Sequence, residues 1–229
     1  MSLFKYAITI ALYMVIGSQS VFAQTEPHIG VVSIINNIVS AEKNNKETIF
    51  TNSDKIYPGQ TIKTLMNSKV QILFRDQTIL NLGPDTEMLI SSYANKQQTT
   101  KFSLNILRGI ARIQSGTLPS EAYEIKSPVA VINLKGTKVD FLVSQSGGTE
   151  IVLRNGLATV KPSPINLRNR NQTFLPNDTL ELQEENTFLR LTTGRNSKIQ
   201  PQTFKNKLKD FYDQEIKVEP DFTLQIASS

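Results

Sequence analysis

From Gly30 to Leu191 the chain is a succession of short apolar runs of period two, broken by Gly, Asn, Asp, Pro and Ser. Successive side chains on a strand point to opposite faces, so this alternation predicts many short strands with one face inward. Val70, Ile72 and Phe74 alternate with Gln71, Leu73 and Arg75. Leu80 and Leu82 resume after Asp76-Gln77, which predicts a hairpin. Pro58-Gly59-Gln60 reads as a turn, with proline pre-set for the first central position and glycine taking a positive φ. A polar loop is expected over Glu42 to Glu47. The apolar phase shifts by one across Gly109, between Phe102 to Leu107 and Ile110 to Ile113, and this predicts a bulge. Val139, Phe141 and Val143 alternate cleanly before Gly147-Gly148 turns the chain. Gly30, Gly109 and Gly156 each open a Gly-apolar-small-polar-apolar echo, but at unequal spacings, so no solenoid is implied. The expected fold class is all-β, an antiparallel β-sandwich of jelly-roll-like form with a short C-terminal α-helix.

The N-terminus has the physics of a secretory leader. Lys5 is the only charged side chain in the first 23 residues. Tyr6 to Gly17 is a largely apolar run, well short of the ~20 residues a transmembrane helix needs. Val21-Phe22-Ala23 fits a small-x-small cleavage site, so residues 1–23 are expected to be a signal peptide cut after Ala23. An uncleaved anchor is the competing reading. No later run is long enough to span a membrane, and the expected location is periplasmic or secreted. The chain has no Cys. A lipid anchor on cysteine and disulfide staples are therefore both excluded, and the fold must rest on its core. The net charge of +5 is scattered along the chain. It implies weak attraction to anionic envelope surfaces rather than nucleic-acid binding.

Residues 24–192 are expected to form the β domain, and residues 193–229 an amphipathic helix and tail. Thr179 to Gln183 and Phe188 to Thr192 read as a final hairpin turned at Glu184-Glu185-Asn186. Phe204, Leu208, Phe211, Tyr212 and Ile216 fall on one helical face, with Pro201 near its start. That stripe either packs on the sheet or binds a partner.

Catalytic chemistry finds little support. The only histidine is His28, in the first residues after the leader, so a Ser-His-Asp arrangement has no candidate base. No thiol, no clustered His ligands and no nucleotide-binding glycine pattern are present. No cofactor is expected. A carboxylate pair acting on glycans would draw on Asp76, Asp140 or Glu150, with nothing to single out two of them. A sugar-binding site would need ring faces, for which Tyr93, Tyr123 and Tyr212 are available, although Tyr123 alternates with Ile125 as a core residue would. A protein–protein module using an exposed strand edge or the Phe204 to Ile216 stripe is the preferred reading.

The stretch Ser127-Pro128 to Val139 sharpens this. It combines a proline at a strand start with Lys135-Gly136-Thr137 in its middle. It resembles the FecR domain, whose pattern there is Thr-Pro, a small residue, then Val-Arg-Gly-Thr. Gly30-Val31-Val32 is similar to the family's opening. Ile56 to Thr64 resembles its Gly-Asp turn, with Gln60 in place of the acid. Val70 to Phe74 leads to Asp76-Gln77-Thr78 where the family has Asp-Gly-Thr. Leu104 to Ile113 and Ile151 to Val160 resemble its later strands. The resemblance runs over residues 30–192. Gly30, Gly59, Asp76, Gly109, Pro128, Gly136, Thr137 and Gly156 carry it, and for each a structural role is expected. It implies an extracytoplasmic all-β signalling or binding module that is not an enzyme. Typical members are inner-membrane regulators of a sigma factor that receive a signal from an outer-membrane siderophore transporter. The expected partner is such a transporter or a regulator, with cell-wall glycan as the alternative.

Overall fold

The computed structural model describes residues 27–96, 99–162, 179–183, 187–191 and 200–203. The expected leader and the stripe from Phe204 to Ile216 lie outside these residues. Strands β1 (Gly30–Asn36), β2 (Val39–Lys43), β3 (Lys46–Ile49), β4 (Lys55–Ile56) and β5 (Thr61–Thr64) come first. They are followed by β6 (Lys69–Phe74), β7 (Ile79–Leu82) and β8 (Glu87–Lys96). Three long strands then dominate: β9 (Thr99–Gln114), β11 (Ala130–Val143) and β12 (Thr149–Pro162). A single 3₁₀ turn (Ser120–Ala122) and β10 (Tyr123–Lys126) separate the first two. Three short strands close the described chain: β13 (Leu180–Leu182), β14 (Thr187–Leu191) and β15 (Gln200–Thr203).

All fifteen strands belong to one hydrogen-bonded sheet. It forks because the long strands bend. The first half of β9 pairs with β8 and β10, and its second half with β7 and β11. One wing, β4-β1-β6-β7, continues from the second half; the other, β3-β2-β5-β8, continues from the first. The wings face each other across one core. Ile62, Met88 and Ile90 come from one, and Val32, Ile72 and Leu80 from the other, all at most 1% exposed. Phe74 and Tyr93 stack across the wings with centroids 6.2 Å apart, and Phe102 meets Phe74 edge-on at 4.9 Å.

The all-β expectation holds, with the two layers realised as one continuous mixed sheet. Its parallel pair is β9–β10, running from Tyr123 opposite Phe102 to Lys126 opposite Asn105. The β6–β7 hairpin is present as expected. Four local expectations change. Residues 42–47 are a hairpin rather than a loop, because Asn44 and Asn45 both take left-handed φ values, 53° and 60°, and turn the chain in two residues. The two runs around Gly109 are one strand, with the extra residue at Leu107, where Glu87 opposes Arg108 and Met88 opposes Ile106. Strands β13 and β14 do not pair with each other. Each extends a different half of the bent β12, at Ala158 to Val160 and at Thr149 to Leu153. Pro201 lies in β15, opposite Leu189 at the end of the sheet path, the edge position where proline is tolerated in a sheet. Among the described residues no helix is long and apolar enough to cross a membrane.

Candidate binding surface and the buried polar locks

The bend shared by β11 and β12 is built at Lys135-Gly136-Thr137. Lys135 opposes Leu157 and Lys138 opposes Asn155, so two residues of β11 face Gly156 alone. Gly136 and Gly156 both have positive φ, 56° and 87°. A Cβ on Gly156 would overlap the Gly136 carbonyl, whereas the space around Gly136 is open. The bulge leaves backbone groups without ladder partners, and Thr137 supplies them. Its hydroxyl accepts from Lys135 N (2.8 Å) and donates to Leu157 O (2.6 Å). Its own N–H donates to Ser115 Oγ at 2.8 Å. Ser127 plays the matching part at the start of β11. Its Oγ accepts from Val129 N, Ala130 N and Thr149 Oγ1, tying the Ser127-Pro128 turn to the start of β12.

Asp76 sits in the β6–β7 turn, 5% exposed, with Gln77 at φ 67° standing where the family has glycine. Its Oδ2 accepts from Thr78 Oγ1 (2.6 Å) and Tyr123 OH (2.7 Å). Tyr123 OH in turn accepts from Gly116 N (2.9 Å) and Leu118 N (3.2 Å). Thr117 N donates to the Asp76 carbonyl at 2.7 Å. Gly116 lies so close that a Cβ would overlap that same carbonyl. Burial, together with the Asp76 carboxylate, pushes the Tyr123 hydroxyl up to about 12. Burial does the same for Tyr93, also to about 12.

Asp140 is fully buried on β11 and forms the second lock. Arg112, directly opposite on β9, reaches it twice, Nε to Oδ1 at 2.6 Å and Nη2 to Oδ2 at 3.0 Å. Arg154 on β12 donates Nε to Oδ2 at 2.6 Å. Burial, then the Arg112 charge, lowers the neighbouring Lys138 ammonium. The polar row continues in register across the sheet. Asn81 opposes Arg112, Gln71 opposes Asn81 with Nε2 to Oδ1 at 2.9 Å, and Ser33 Oγ meets Gln71 Oε1 at 3.0 Å.

These contacts decide what the sequence candidates can do. The Asp76 and Asp140 oxygens are taken by hydroxyls and guanidiniums, and among the described residues no hydrogen bond joins either to another carboxylate. Tyr123 is 1% exposed, and Tyr93 packs half-buried against Phe74 and Phe102, so the two do not form a sugar-stacking groove. Gly59 (φ 78°) turns β4 into β5, Gly109 (φ 98°) lies against Thr86, and Gly30 approaches the Leu73 carbonyl. Pro128 precedes β11. Tyr212 and the helical stripe lie outside the described residues. Among the described residues no group of three His, Cys, Asp or Glu side chains gathers as a metal would require. Sequence reasoning missed Gly116, Arg112, Arg154 and Ser115. Their partners are distant in the chain, and nothing local marks them.

What remains open is a surface at the β3 corner. All four β3 residues are exposed, and β2 is its sheet neighbour among the described residues. Ile49 (67% exposed) stands on it; Ile38 (53%) precedes β2, and Leu65 (54%) and Met66 (73%) follow β5, the strand on the other side of β2. Leu65 N reaches Ile38 O, so these two are adjacent.

The geometry defines a β module whose buried polar groups hold its own bends and which, among the described residues, leaves the β3 edge open. Residues 60–159 match the family model described as FecR protein, a match that supports membership of the FecR-domain family. Two crystal structures from Parabacteroides distasonis ATCC 8503, both of a protein provisionally assigned as an anti-sigma factor, share the fold. One was determined at 1.65 Å and the other at 2.50 Å; both give a TM-score of 0.50 at 14% identity over 68% of this chain. The chain spans 65% and 64% of those two chains, less than two thirds of their length. No curated protein matches.

Proposed function

We propose that the chain is an exported, non-enzymatic binding module of a bacterial envelope that works in signalling through protein–protein contact. The observation that carries this is the disposition of its polar groups. Every buried carboxylate described above is engaged by hydroxyls or cations within the fold, while the β3 edge and its apolar neighbours face outward. The match of residues 60–159 to the FecR family model supports a regulatory role, and the leader expected over residues 1–23 supports placement outside the cytoplasm. The partner is an outer-membrane transporter or an envelope regulator. Glycan binding is the alternative and finds less support here, since Tyr123 is buried in the core.

In-cell crosslinking of the tagged chain, followed by mass spectrometry, tests the reading. The expected result is recovery of one envelope protein in near-stoichiometric yield. Recovery of glycan fragments with no stoichiometric protein would transfer the function to the cell wall.

A further inference from the structure

The β3 edge has a definite hydrogen-bonding face. Lys43 opposes Lys46 across the two-residue turn, Ala41 opposes Thr48, and Phe50 N donates to Val39 O at 2.8 Å. Lys46, Thr48 and Phe50 therefore direct their backbone groups at β2, because inward and outward residues alternate along an antiparallel ladder. Glu47 and Ile49 direct theirs away, and no described residue pairs with them. An open edge of this kind is a template for another strand.

We propose that this edge pairs with the same edge of a second copy of the chain, antiparallel about a two-fold axis at Thr48. This rests on the reading of the chain as a binding module and names one of its contacts. Three symmetric registers bring outward residues face to face. Glu47 against Glu47 sets like charges opposite each other, which is unfavourable, and extends only into the left-handed Asn45. Ile49 against Ile49 would extend to Thr51, whose N–H is already held by Asp54 Oδ2 at 2.6 Å and whose carbonyl accepts from Asp54 N. Glu47 against Ile49 of the second copy, taken twice, uses all four outward N–H and C=O pairs within the strand. It puts Thr48 opposite its own mate, a favourable cross-strand pair.

The occupant follows from this match. The edge is bounded by the Asn44-Asn45 turn and the Thr51–Asp54 turn, so it admits only a short, equally twisted strand, and its own sequence is self-complementary there. A two-fold contact also closes on itself and yields a dimer rather than a fibre. Each copy places Ile49 beside the new pair, next to Ile38.

The chain has no Cys, so a single introduced thiol reads the axis directly. Residues facing each other in a non-hydrogen-bonded antiparallel pair have Cα atoms about 4.5 Å apart, within reach of a disulfide. Thr48→Cys in the full chain, exposed to mild oxidant, is expected to give mostly disulfide-linked dimer on non-reducing gels. Met66→Cys, equally exposed at the same corner, should stay monomeric. In sedimentation, Ile49→Pro removes an outward donor without touching the hairpin bonds; it should abolish concentration-dependent dimerisation at an unchanged melting temperature. Equal crosslinking of the two thiols, or a dimer indifferent to Ile49→Pro, would overturn the proposal. So would a wild-type chain that is monomeric throughout. None of these results bears on whether the chain captures an envelope partner, so the two readings fail separately.

Discussion

Gly136 and Gly156 face each other at the bend, but they are not equivalent. Gly156→Ala adds a left-handed residue and drives a Cβ into the Gly136 carbonyl. The expected loss is more than about 2 kcal/mol. Gly136→Ala has open space and carries only the cost of the left-handed backbone, about 1 kcal/mol. Urea midpoints of the two variants check this ordering; equal losses would contradict the geometry. Tyr123 and Tyr93 set the alkaline limit. The folded state favours their neutral forms, so their folded pKa lies above the unfolded one, near 10. Their contribution is complete below that pH and is lost as pH rises through the folded value, about 12. Stability should therefore fall over roughly pH 10 to 12. Tyr123→Phe should flatten that fall, while losing stability at neutral pH because Asp76 forfeits a donor. Urea melts across this range, read beside tyrosinate absorbance, make the test. At this scale Gly59, Gly109, Gly136 and Asp76 were legible in the sequence because turn chemistry is local. Gly116 was not, since what forbids a side chain there is the Asp76 carbonyl, distant in the chain.

At the scale of the elements, the Arg112–Asp140–Arg154 lock holds β9, β11 and β12 side by side just beyond the bend. Removing the central acid takes away the carboxylate that both guanidiniums share in a largely dry site, and breaking a buried pair this way typically costs about 3–5 kcal/mol. Asp140→Asn should therefore be the most damaging change and Arg112→Leu the next. Arg154→Leu should be the mildest, because its side chain is 20% exposed against 7% for Arg112 and Asp140 keeps its two-point partner. Thermal melts of the three variants give the order; a reversed order would mean the triad does not hold the strands. Period-two alternation located these strands and placed a bulge at Gly109, whereas the extra residue sits at Leu107. A strand that bends and continues has the same local signature as two strands with a turn between them. The final hairpin failed for a related reason, since adjacent runs usually pair, whereas here a bent neighbour offers each run its own edge.

At the scale of the whole molecule, the proposed function combines a β fold without disulfides, the β3 edge and the leader expected over residues 1–23. The proposed reading is of an exported module that works by contact. A fold without disulfides rests entirely on its core, so the single hydrophobic cluster shared by both wings implies that they melt together. Calorimetry should show one transition, and two resolved transitions would mean the wings are separate cooperative units. Composition and alternation made the fold class legible. The forked topology was not, because it depends on which half of a bent strand each later strand finds. The most direct test of the account is the intact mass of the chain in fractionated cells that express it. The account predicts a species beginning at Gln24 in the periplasmic or extracellular fraction. Full-length chain retained in the cytoplasm would contradict it.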